Sequence, residues 1–150
     1  MRTLCVGLAL AAVLTIGAGG VLRADLKAAL AEKDLEKRSK LALDNAELAL
    51  QAAKAAYQQG DIGKTRTAVT EVKESVDLAF QSLNDTHKNP RKSPKYFKSA
   101  ELATRDLLRR LETFDYDMSY EDREILKPVK ERVQQVHDDL LLGLMEGKPK

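Results

Sequence analysis

The sequence predicts an all-α fold, an antiparallel up-down four-helix bundle built from two helical hairpins. Three observations lead there. Neither Pro nor Gly interrupts residues 25–59. Beyond the leader, apolar residues recur three and four apart, the spacing of one helix face. Polar or turn-forming stretches at 60–61, 84–93 and 115–119 divide that pattern into four segments. A very short link, such as that at 60–61, makes the helices it joins antiparallel neighbours.

The first 24 residues are of a different material. Arg2 precedes an uncharged stretch, Leu4 to Leu22, that runs into GAGGVLRAD. A positive start, an apolar run and small residues describe a secretory signal. Residues 1–24 are therefore expected to be a signal peptide, cut after Ala24 or Gly20, and residues 25–150 the exported domain, periplasmic or secreted. The alternative is a single N-terminal membrane anchor, since Leu4–Leu22 holds 19 residues and about 20 cross a bilayer. Cys5 stands at the wrong end of the run for lipid attachment, and as the only cysteine it forms no disulfide within the chain. Without Arg2 and Arg23 the 25 basic residues become 23, against 23 acids. A domain that close to neutral carries no nucleic-acid footprint.

The first helix is expected over 25–59. Leu43, Ala46, Leu50, Ala53 and Tyr57 set its stripe, and its alanines favour helix and let a partner approach closely. At about 1.5 Å per residue it would reach about 50 Å and outrun its partners. Its charged start, with Leu26, Leu30 and Leu35, would then be a solvated stalk or a coiled-coil seam for a homodimer or partner helix. Gly60 supplies the left-handed turn and Asp61 the next cap. The second helix spans 62–83, with Val69, Val72, Val76, Ala79, Phe80 and Leu83 on one face.

The third helix is expected over 94–114, capped by Ser93 with Pro94 at its first position. Ala100, Ala103, Leu107, Leu111 and Phe114 share its face. Ser119 and Asp122 form a capping-box spacing at the start of the fourth helix, 120–146. Leu126, Val129, Val133, Val136, Leu140 and Leu144 line that helix, Pro128 should kink it, and Gly147 should end it.

Few chemistries fit. A di-iron bundle needs Glu-x-x-His twice, and the residue three before His137 is Gln134. There is no Cys-x-x-Cys-His for haem, no Gly-x-Ser-x-Gly and no glycine-rich phosphate loop. DYDMSYE (115–121) starts like a calcium loop, but Tyr120 stands where the turn needs glycine and Leu126 where the bidentate glutamate belongs. Metal binding through Asp115 and Asp117, or through His137 beside Asp138 and Asp139, is open as an alternative. The expectation is a non-enzyme with no catalytic residues, no cofactor and no resident metal.

What remains is surface. HKNPRKSPKYFK (87–98) holds Lys88, Arg91, Lys92, Lys95 and Lys98 and no acid. Lys95 and Lys98 open a helix, where the dipole disfavours cations. The five form a candidate patch for an anionic partner; the bland reading is a soluble connector. The opposite end gathers Glu112, Asp115, Asp117, Glu121, Asp122 and Glu124. Tyr57, Phe114, Tyr116 and Tyr120 at one end, and Phe80, Tyr96 and Phe97 at the other, are expected to plug the bundle or to line a pocket. The function expected is an exported interaction, scaffold or adaptor module of the cell envelope; the alternative is a small-ligand or metal carrier using the bundle interior.

Overall fold

The computed structural model describes residues 25–147. The expected signal or anchor segment, residues 1–24, lies outside the described residues. Within them the chain is helical: α1 (Leu26–Ala31), α2 (Leu35–Gln58), α3 (Ile62–Asp85), α4 (Pro94–Asp117), a 3-10 turn (Asp122–Ile125) and α5 (Lys127–Glu146). The four long helices pack against one another, and no strand forms among the described residues.

The long first helix is corrected. It breaks at Glu32, whose ψ of 126° is extended, and restarts at Asp34, whose carboxylate accepts the N–H of Lys37. Arg38 Nε bonds the freed carbonyl of Glu32 at 2.8 Å. Two charged side chains thus supply a cap and a partner that a straight helix would not use. α1 doubles back, so that Asp25, Leu26 and Leu30 line a groove with Thr67, Thr70 and Glu71 of α3, and Ala29 is buried. The stalk, and with it one continuous seam through Leu26, Leu30 and Leu35, is not formed. The remaining helices match in length, 24 residues each for α2, α3 and α4 and 20 for α5.

The broadest contact joins α2 to α3 across Gly60, whose φ is +74°. Asp61 caps α3 through the N–H of Lys64 at 2.9 Å. α4 and α5 make the second pair, and the pairs meet as α2 on α4 and α3 on α5. α3 and α4, though consecutive, touch less than either of those contacts; residues 86–93 are long enough to carry the chain past its nearest neighbour. The core between them is aliphatic: Leu50, Val72, Val76, Leu83, Leu111 and Val133 are buried. Each such side chain contributes about 1.5–3 kcal/mol by leaving water.

The last helix is also corrected. Residues 122–125 form a 3-10 turn, and Pro128 lies in the first turn of α5. There its missing N–H interrupts no helical bond, so the expected interior kink does not arise. Ser119 and Asp122 do pair, with Ser119 Oγ 2.8 Å from Asp122 Oδ2 and Asp122 N 3.3 Å from Ser119 Oγ, but they organise the turn before α5.

Candidate anion-binding surface

The loop from Thr86 to Ser93 is held by its own backbone and by two short side chains. Thr86 Oγ1 donates to Leu83 O at 2.6 Å and accepts the N–H of Lys88 at 3.2 Å. Asn89 Oδ1 accepts the N–H groups of Arg91 and Lys92 at 2.9 and 3.1 Å, and Asn89 O accepts that of Ser93 at 2.9 Å. Such Asx turns are why asparagine recurs in tight loops. His87 takes φ +53° at the turn after α3. Ser93 makes no side-chain cap bond, which departs from the sequence expectation; Asn89, four residues earlier, organises the approach to α4 instead. Pro90 is buried beneath the loop.

Most of the loop's N–H groups are thus met locally, and none of these bonds uses a cationic side chain. Lys88, Arg91, Lys92, Lys95 and Lys98 are all exposed, at one end of the molecule. They do not stand alike. Lys88 reaches back to Glu36 of α2 at 2.8 Å, and that hydrogen bond raises its pKa above the usual lysine value, against an opposing effect of desolvation. Lys88 therefore also tethers the loop. Lys95 Nζ lies 5.1 Å over the ring of Tyr96, a cation–π contact. Arg91, Lys92 and Lys98 make no ion pair among the described residues. The first turn of α4 contains no acid. Apart from Lys88, helix and loop thus present positive charge that no acid pairs with among the described residues.

The end of α5 abuts this loop. Gly147 closes α5 at φ +75°, and a Cβ there would come within 3.1 Å of Arg91 Cβ and Asn89 Oδ1. Leu141, Leu142 and Met145, on the last turns of α5, are exposed at 43, 38 and 67 %. Sequence reasoning missed them. Their signal was available: they lie off the stripe of Val133, Val136, Leu140 and Leu144, on a helix that already had its buried face.

The opposite end is more self-satisfied than its composition suggests. Lys130 sits between Glu112 at 3.0 Å and Asp115 at 3.6 Å; burial pushes its pKa down, but the two carboxylates together hold it above the ordinary lysine value. Asp106 is held below the usual carboxylate range chiefly by Arg110, with Arg109 adding to it. Tyr57 meets Phe114 edge to face with centroids 5.8 Å apart. Its hydroxyl donates to Asp122 Oδ2 at 3.0 Å and accepts the N–H of Ser119 at 2.9 Å. Tyr57 and Phe114 thus close this end as expected. Tyr116 and Tyr120 do not, being 71 and 87 % exposed, because α4 continues to Asp117 and turns Tyr116 outward.

The alternative metal positions separate. Asp115 and Asp117 lie on the final turn of α4, not in a loop, and Asp115 is engaged by Lys130. His137 is mostly buried between α4 and α5, with Nδ1 3.4 Å from Thr104 Oγ1 and 3.9 Å from Glu101 Oε1. Among the described residues no three His, Cys, Asp or Glu side chains converge on a point that could hold a metal. Every buried side-chain nitrogen or oxygen there has a hydrogen-bond partner, including Asn45, which donates to Glu71 at 3.0 Å and Ser75 at 2.9 Å. No described helix is long and apolar enough to cross a membrane.

Comparison with known proteins finds no matching family model, no matching curated protein and no matching solved structure.

Proposed function

We propose that this is an exported, non-enzymatic interaction module of the cell envelope, an up-down bundle of two helical hairpins following a cleaved signal segment, whose basic end holds an anionic partner. One observation carries the reading. Asn89 and Thr86 hold the 86–93 loop through its own N–H groups, and Arg91, Lys92 and Lys98 are left exposed without an acid to pair with among the described residues. Solubility alone asks only that a loop be polar. It does not ask for cations clustered where a helix dipole opposes them.

The test uses polyphosphate as a soluble polyanion. Binding should weaken steeply with salt. The variant carrying Lys88→Gln, Arg91→Gln, Lys92→Gln and Lys95→Gln should lose the salt-sensitive part. Absence of binding, or binding indifferent to the four substitutions, overturns the proposal. For export, intact-mass measurement of protein from the envelope fraction should show a chain shortened at its N-terminus; a full-length cytoplasmic chain overturns that part.

A further inference from the structure

We infer that the basic end docks on an anionic lipid surface, with the last turns of α5 entering the interface. This rests on the anionic-partner reading above and names the partner. Two independent observations meet at one end of the molecule. The first is the cationic loop already described. The second is Leu141, Leu142 and Met145, three large apolar side chains left in water on the outer side of α5. Residues 141 and 145 are one turn apart and share a face, with 142 beside them. Gly147 packs against Arg91 and Asn89, which brings that apolar face and the loop to the same end.

The combination favours lipid over a soluble acid. A polyanion in solution is gripped by cations and gains nothing from exposed leucines. A bilayer with acidic headgroups offers both contacts: phosphates to the cations, and the acyl boundary to apolar side chains at their edge. Glu146 is exposed at the same rim and opposes the attraction, so the surface should need a high fraction of acidic lipid. Lys95 stacked on Tyr96 adds an amphipathic pair of the sort that settles at headgroup depth.

The chain has no tryptophan, so Met145→Trp places a single indole at the proposed contact. With the full-length protein and phosphatidylglycerol vesicles, its emission should shift to the blue and be quenched by brominated acyl chains. Phosphatidylcholine vesicles should produce neither effect. Tyr120→Trp, at the far end, should stay unshifted; it reports whether the leader alone draws the chain onto vesicles in another orientation. Removing the four loop cations should lower partitioning by about six-hundredfold, at about fivefold for each cation. Leu141→Ser with Leu142→Ser should lower it further without altering polyphosphate binding. Polyphosphate binding without a Met145→Trp response to vesicles overturns the lipid inference and leaves the anionic-partner reading standing. Failure with both probes overturns both. A vesicle response in Tyr120→Trp equal to that in Met145→Trp also overturns it.

Discussion

Tyr57 links three parts of the chain with one hydroxyl: the end of α2, the turn at Ser119 and the carboxylate of Asp122. Tyr57→Phe keeps the ring against Phe114 and removes both bonds. The expected cost is about 1 kcal/mol, read as a lower urea midpoint at unchanged m-value; an unchanged midpoint would mean that water replaces the hydroxyl at no cost. Among the acids, the backbone N–H of Lys37 holds the Asp34 carboxyl below its ordinary 3.8, and that of Lys64 does the same for Asp61. A depressed folded value means that the unfolded chain takes up these protons first. The stability they contribute is complete above 3.8 and is lost as pH falls through the lower folded values. Helicity followed by circular dichroism should therefore fall in that acid window, and Asp34→Asn with Asp61→Asn, which keeps capping oxygens but nothing to titrate, should flatten the fall. At this scale the sequence was legible for Gly60 and Asp61. It was not legible for Asn89 or Tyr57, whose partners depend on how loops meet.

Among the elements, the two corrected ones share a cause. A periodic apolar pattern says which residues can face a core but not whether the backbone runs straight between them. At Glu32–Asp34 the alternative caps won, and at Pro128 the ring found a first turn where it costs nothing. Pro128→Ala separates the two arrangements. At a first-turn position the substitution should destabilise slightly, by at most about 1 kcal/mol, by freeing the unfolded chain; relief of an interior break would raise the melting temperature. The glycines behave differently from each other. Gly60→Ala meets nothing within 4 Å and should cost about 1 kcal/mol for its left-handed backbone alone. Gly147→Ala adds contacts at 3.1 Å with Arg91 and Asn89, so it should cost more and should also perturb the amide signals of residues 89–92.

For the whole molecule, the two ends differ less in their charge counts than in how those charges are used. The acidic end spends much of its charge internally, on Lys130 and on the Tyr57 bonds. At the basic end, among the described residues, only Lys88 of the five cations is committed to an acid, Glu36, and Lys95 lies over the ring of Tyr96. Neutralising Arg91, Lys92 and Lys98 should therefore leave the melting temperature nearly unchanged, whereas Lys88→Gln should lower it, together with protection of the loop amides. A large loss of stability from the first three would show that they serve the fold and would remove them from the proposed surface.

The sequence alone determined the helical class, the extent of the two central helices to within a few residues, the core face of each and the five cations of the basic segment. These follow from spacing and local propensity, which act along the chain. The tertiary structure decided that α1 folds back, that α2 lies on α4 and α3 on α5, that Lys88 is tied down while Arg91 is not, and that the end of α5 adjoins the basic loop. Those outcomes depend on which distant surfaces and charges come within a few ångströms of each other, a competition among contacts that periodicity along one helix does not encode.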